Sequence, residues 1–438
     1  MAKVYPFSAY RYDSAEVGDL SKVVSQPYDK IDSSERERYA RLSPYNIVRI
    51  ILSEPDEELG EYDNAARQLE RWIENGVLRR DPEPGIYPYF QQYSLEGQRY
   101  TRRGFIALGE LEGEGSEDRV KAHEETMEGP KADRLNLLRT TEANFGQIFM
   151  LYSDPQLRVA EILEESAADE PLIRAKDRVK DEGQVTHKIW KIDEAEKVEE
   201  IRQIMEGKSL YIADGHHRYE TALNFRDECR ARGWSSPGPE GFNCRMMTFV
   251  NLEDPGLVIL PTHRLLYGLK GFRARGVLEE ARGEFSISRY SDREGLYRRL
   301  DEDGGERHTF GYRARGGQAY WALTLKDEET MDQLIPERSP AWRRLDVSIL
   351  HKGILERYLD IDEEDLQAEE NVDYVRGRDE ALDSLGGSKY QAAFILNPTR
   401  VEQVKEIADK GERMPQKSTD FYPKLLTGLV VHKLEIDK

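Results

Sequence analysis

Cysteine is scarce: Cys229 and Cys244 are the only two in 438 residues, too few for a disulfide framework and without a paired metal-ligand spacing. A reducing compartment is expected. No run approaches the roughly 18 apolar residues of a membrane span, and the opening MAKVYPFSAYRYDS lacks the basic region, apolar stretch and cleavage site of a secretory signal. The expectation is a cytoplasmic protein with no membrane partner. Positive charge is also short. Acidic residues outnumber basic ones by 84 to 64, a net charge of -20, which repels a phosphate backbone and argues against a nucleic-acid partner. An anionic small molecule would need a focused cationic pocket. Histidine is rare too, with 8 in the chain, so the adjacent His216 and His217 stand out. Disorder is not expected, because 23 Tyr, 13 Phe and 5 Trp supply large apolar side chains throughout.

The length predicts two or three structural units. Residues 1–118 form an N-terminal α/β region, 119–268 a core that holds most of the unusual chemistry, 269–396 a more charged α/β insertion, and 397–438 a C-terminal segment returning to the active site. In the first region YDNAARQLERWIENGVL sets Ala65, Leu69, Trp72 and Ile73 at helical spacing with Gly76 as a stop. Two strands are expected around the turn signal Glu96-Gly97, and a surface loop at 112–119. A helical arm over 158–180 and a strand in THKIWKI follow. CRMMTFVNL and GLVILPTHRLL read as buried strands, REGLYRRLDE and LDVSILHKGILERYL as helices, and HTFGYRARGGQAYWALTL as a hairpin.

The chemistry concentrates in SLYIADGHHRYETALNF, an apolar strand running into a helical pattern. The turn between them presents Gly215, His216 and His217 near a helix N-terminus, where free N–H groups and the helix dipole favour an anion. Gly215 permits close backbone approach, Arg218 can donate a two-pronged pair to phosphate oxygens, and the imidazoles can donate hydrogen bonds or a proton. Asp214 has two readings: it caps the helix, or it holds Mg²⁺ or orients a reacting hydroxyl. A zinc site is disfavoured, since the histidines lack the i, i+4 spacing of a helical metal pair and no cysteine is close.

ADGHHRYETA resembles the signature of the free-serine kinases of the ParB/sulfiredoxin superfamily. The chain as a whole is similar to a prokaryotic domain-of-unknown-function family with a pyrophosphate-dependent serine kinase branch. The blocks PYDKI, PYNIVRI, HEETMEGPKADRL, EANFGQIFMLY and MPQKSTDFYPKLLTGLV carry that similarity over nearly the full length. The resemblance implies a mixed α/β fold with a ParB/sulfiredoxin-like core and large N-terminal and C-terminal elaborations. It implies that Asp214, His216, His217 and Arg218 line a phosphoryl-transfer site, and that a glutamate takes the proton from the serine hydroxyl. The expected substrates are L-serine and pyrophosphate, ADP or ATP, with Mg²⁺ as cofactor and O-phospho-L-serine as product.

For such a kinase, HEETMEGPKADRL offers Glu124 as general base and Lys131 as a phosphate ligand, with His123, Thr126 and Arg134 beside the substrate. Glu142 is a second candidate base. Met127 stands where a zincin would need histidine, so a zinc-protease reading fails. Gln416 precedes Lys417 and Ser418 where a Walker loop needs glycine; Lys417, Ser418 and Thr419 can still grip an anion, with Lys424 adding charge. Asn46 and Arg49 are candidate substrate ligands, Arg49 either receiving the amino acid's carboxylate or anchoring a domain interface. His263 and Arg264 read as structural. Two competitors remain. A ParB-like nucleotide-binding regulator without kinase activity is disfavoured by the acidic charge, and a sulfiredoxin-type enzyme would need a cysteine where the histidines stand.

Overall fold

The computed structural model describes residues 2–112, 120–121, 128–179 and 183–438. Those residues divide into two compact units, one formed by the described residues up to 258 together with 423–438, the other by 259–422. No described helix is long and apolar enough to cross a membrane.

The first unit is built on a nine-stranded open sheet of mixed direction. Its strands are β1 (Val4–Tyr5), β2 (Tyr87–Leu95), β3 (Gln98–Glu110), β4 (Val120–Lys121), β5 (Ile148–Tyr152), β6 (Ile173–Val179), β7 (Gly183–Ile189), β8 (Leu210–Asp214) and β9 (Cys244–Asn251). The order is β4-β8-β5-β9-β3-β2-β7-β6, with β1 pairing β3. β9 runs parallel to β5 and antiparallel to β3. Every residue of β5 and of β9 is buried, as near-continuous apolar runs covered on both faces require. The β2–β3 hairpin turns where the sequence predicts, because Glu96 and Gly97 both adopt positive φ, 50° and 80°, the twist that a two-residue hairpin needs.

The longer helices of this unit include α1 (Glu61–Glu74), α2 (Glu128–Thr141), α3 (Arg158–Ser166), α4 (Ala195–Met205) and α5 (His216–Ala231). In α1 Ala65, Leu69 and Trp72 are buried at the predicted spacing, and Gly76 ends the helix with φ 71°. The arm expected over 158–180 is corrected. The helix stops at Ser166, and 173–179 forms β6 instead. Pro171 follows the helix end, and Ile173 and Ala175 are buried on alternate positions, a period of two that fits a strand. Most of the expected 112–119 loop lies outside the described residues.

The second unit holds a six-stranded sheet of β10 (His263–Tyr267), β11 (Phe285–Tyr290), β12 (Thr309–Ala314), β13 (Tyr320–Leu325), β14 (Val372–Val375) and β15 (Tyr390–Ile395), in the order β11-β13-β12-β15-β10-β14. The HTFGYRARGGQAYWALTL segment is the antiparallel pair β12–β13, and REGLYRRLDE lies in the helix Arg293–Asp303. The mixed α/β class with an open sheet is as expected.

Candidate functional site

The turn between β8 and α5 lies in the first unit. Gly215 sits at φ 93°, ψ 30° as the residue before the helix, a conformation open to glycine and strained for other residues. It lets the chain reverse from strand to helix within one residue, and its own carbonyl accepts from Tyr219 N at 3.0 Å. A Cβ there would meet the Arg218 guanidinium at 3.0 Å. The side chain of Arg218 therefore folds back over the turn.

Asp214 does not cap α5: the helix has no side-chain cap. Its carboxylate instead meets Lys424 Nζ at 3.1 Å and Arg218 Nη2 at 3.5 Å. Burial alone would raise its pKa, but Lys424, Arg218 and Lys30 outweigh burial and hold the carboxyl well below the usual carboxylate range. Asp214 is thus a fixed anion that gathers three cations. Arg218 also donates to the Gln147 carbonyl, which leaves it only 9% exposed.

His216 is buried, while His217 is half-buried. Burial lowers the His217 pKa, with Glu220 and Asp29 pulling upward and Lys131 and Arg218 downward, which favours the neutral imidazole. Lys131 of α2 pairs with Glu220 of α5 at 2.5 Å. These contacts bring Lys131, His217, Arg218, Asp214 and Lys424 into one cluster.

The described donor set does not fit a resident Mg²⁺. No group of three or more His, Cys, Asp or Glu side chains with metal-holding geometry exists among the described residues, and both oxygens of Asp214 are taken by cations. Among the described contacts Asp214 acts as a counter-ion to Lys424 and Arg218.

Beside the turn lies a cavity of about 50 Å³. Tyr28, Arg134, Arg218, Thr221, Arg245 and Thr427 supply its polar wall. Gly146 closes it, since a Cβ there would lie 3.4 Å from both Arg218 Nη1 and Thr427 Oγ1.

A family model described as "Protein of unknown function (DUF1015)" matches residues 4–348. The chain belongs to the DUF1015 family. A search of curated proteins gives no match. Among solved structures, free serine kinase in complex with AMP is 12% identical with a TM-score of 0.34, covering 74% of this chain and 92% of that one. A conserved hypothetical protein from Pyrococcus furiosus is 13% identical with a TM-score of 0.33, covering 72% and 90%. SbnI with C-terminal truncation from Staphylococcus aureus is 11% identical, also at 0.33, covering 73% and 85%. These likenesses are distant.

In this DUF1015 member several expected ligands are committed elsewhere. Asn46 is fully buried, its amide donating to the Lys22 and Val24 carbonyls and its oxygen accepting from Val48 N. Arg49 donates to the Ala40 and Ser43 carbonyls. Both side chains bind backbone close by within the N-terminal part of the first unit. Arg134 pairs with Asp133, donates to Ile51 O at 2.8 Å and lies 4.3 Å over the Tyr28 ring. Glu142 meets Lys438 at 2.7 Å. His123, Glu124 and Thr126 lie outside the described residues.

Lys417, Ser418 and Thr419 belong to the second unit. Lys417, at φ 58°, pairs with Glu369 at 2.9 Å, and Ser418 donates to the Pro415 carbonyl. In the same unit His263 accepts from Leu396 N, and buried Arg264 donates to His351 and to the Thr262 carbonyl, which are structural bonds. The thiols are inert by environment: burial raises Cys229 to about 11 and Cys244 to about 12. Arg245, Glu220 and Lys30 are the site residues that the sequence reading did not single out. Arg245 gave no signal inside an apolar run, whereas Glu220 falls within the RYETA segment and Lys30 within PYDKI.

Proposed function

We propose that the β8–α5 turn is a phosphoryl-transfer site, and that the protein moves a phosphoryl group from a small diphosphate donor, pyrophosphate before ADP or ATP, to the hydroxyl of free L-serine. The observation that carries this reading is the Gly215 pivot, which sets the first turn of α5 beside the Arg218 guanidinium. Free N–H groups at a helix start, the helix dipole and a guanidinium together suit a phosphate group.

In this reading the first-turn N–H groups and Arg218 hold equatorial oxygens of the transferred group. His217 donates to the same oxygens, and Lys131 neutralises charge developing on them, as a loose phosphoryl-transfer transition state requires. Asp214 positions Arg218 and Lys424 and takes no proton, because its carboxyl stays ionised. The proton of the serine hydroxyl passes to a glutamate, as the family resemblance implies, and Glu124 of the HEETMEGPKADRL segment is the candidate for that base. The serine oxygen then bonds phosphorus as the bond to the leaving phosphate breaks, giving O-phospho-L-serine.

The test supplies the purified protein with L-serine, Mg²⁺ and either pyrophosphate, ADP or ATP, followed by phosphorus NMR. An O-phosphoserine resonance in one tube supports the reading and names the donor. Silence in all three, with the protein folded by circular dichroism, overturns the serine kinase assignment.

A further inference from the structure

Arg245 is a buried cation that no described group neutralises. It stands on β9, is 8% exposed, and its Nε and Nη1 have no hydrogen-bond partner. The groups around it add no negative charge. Arg218 is a second cation close enough to depress its ionisation after burial itself. His432 is neutral, because burial and then Arg245 hold its pKa down to about 3. An interior charge left in this state is costly, and proteins keep such groups where a partner arrives.

The side chain lines the 50 Å³ cavity beside the turn. Thr221 of α5 lines it too, 2% exposed, with a hydroxyl that has no partner. The other cations there already have partners: Arg134 meets Asp133 and the Ile51 carbonyl, and Arg218 meets Asp214 and the Gln147 carbonyl. Among the described residues of this wall, the fully buried side-chain donors without a hydrogen-bond partner are those of Arg245 and Thr221. Leu137, Leu138 and Phe145 form part of the remaining wall, and an apolar surround strengthens a charge-assisted hydrogen bond. At roughly 10–15 Å³ for each water-sized occupant, the volume takes about three to five such groups. That is the size of one carboxylate or one phosphate head, and too small for a nucleobase.

We propose that this cavity is an oxyanion subsite in which Arg245 and Thr221 bind a single carboxylate or monophosphate group of a small ligand. The proposal rests on Arg245 and Thr221 and not on the phosphoryl-transfer reading, and it holds whichever reaction the turn performs.

Thermal unfolding of the full chain tests it at fixed ionic strength, with sodium chloride as the reference and acetate, inorganic phosphate, L-serine or serinamide added. Stabilisation by acetate and L-serine but not serinamide supports the subsite and identifies a carboxylate source. Stabilisation by inorganic phosphate alone supports it and identifies a phosphate source. R245M is expected to abolish the stabilisation and, without anions, to be at least as stable as the parent, since an unpaired buried cation gives way to an apolar side chain. T221V keeps the cation and is expected to weaken anion affinity about tenfold. The proposal is overturned if no anion shifts the transition beyond chloride, or if R245M retains the full shift. Should R245M not fold, T221V decides: unchanged anion affinity in that variant overturns the proposal.

Discussion

Lys424 and Asp214 lie 210 positions apart in sequence and 3.1 Å apart in space, so the C-terminal segment supplies the counter-ion for the strand that ends at the turn. Removing the ammonium by K424M leaves Asp214 beside Arg218 and Lys30 alone. The loss is expected to be about 2 kcal/mol, below the 3–5 kcal/mol of a fully buried pair because the Asp214 side chain keeps 22% exposure. Urea unfolding of K424M, D214N and the double variant measures it. Additive losses in that cycle would show that the two groups do not interact. The pH dependence has a definite sign. The carboxyl is depressed in the folded state, so its contribution is complete above its unfolded pKa near ~3.9 and is lost as pH falls below that value.

Gly215→Ala tests the pivot. At φ 93° any L side chain is strained, and the new methyl would meet the Arg218 guanidinium at 3.0 Å. A cost of roughly 1–2 kcal/mol is expected from the backbone, with Arg218 displaced from its place over the turn. Phosphate-dependent stabilisation should therefore fall by more than global stability does. Equal stability of parent and variant in urea would contradict the backbone argument.

The turn was legible in sequence because two periodicities meet there: an apolar run of strand length, then a glycine, then a helical pattern opened by rare histidines. Its supports were not. Arg245 is one cation inside CRMMTFVNL, a segment that reads as a buried strand, and nothing local says that its guanidinium lacks a partner. Lys424 stood out only as added charge near an anion-gripping loop, because a contact across 210 residues leaves no spacing to read. Asn46 and Arg49 illustrate the opposite failure. Polar side chains flanking apolar positions look like ligands, yet here their donors go to backbone carbonyls of nearby residues. The arm over 158–180 was overextended for a related reason: charged residues on one face satisfy a helical pattern as readily as an exposed strand edge, and only Pro171 marks the change.

For the kinase reading, R218K and H217A separate two kinds of cation. Arg218 presents a planar fork over Gly215, which lysine cannot reproduce. R218K is expected to lower kcat about 10²–10³-fold with a smaller change in KM, as for loss of a donor aimed at transition-state charge. H217A removes a neutral donor and should cost less. Phosphorus NMR rates at saturating L-serine measure both. A variant pair in which KM rises and kcat stands would mean that these groups hold the ground state only.

Acid should destabilise both units through their buried histidines. His187 and His432 in the first unit and His263 in the second have pKa values held down to about 3, in each case by burial before any neighbouring charge; His351 lies well below its ordinary value for the same reason. Each ring is neutral in the folded chain. Once unfolded, each takes up a proton below its ordinary value of about 6.5. Stability is therefore unaffected by these groups above pH 7, and it is lost as pH falls from 6.5 toward 3, because the unfolded state binds more protons. Well below 6.5 each histidine contributes a slope of up to about 1.4 kcal/mol per pH unit, so the His187 and His432 pair alone should remove roughly 1–2 kcal/mol from the first unit between pH 6.5 and 5.5. Urea midpoints at pH 7.5, 6.5 and 5.5 read this directly, and H432Q, which keeps a hydrogen-bonding group that does not ionise, should flatten part of the slope. A midpoint that stays constant across that range would mean that the buried imidazoles accept protons in place.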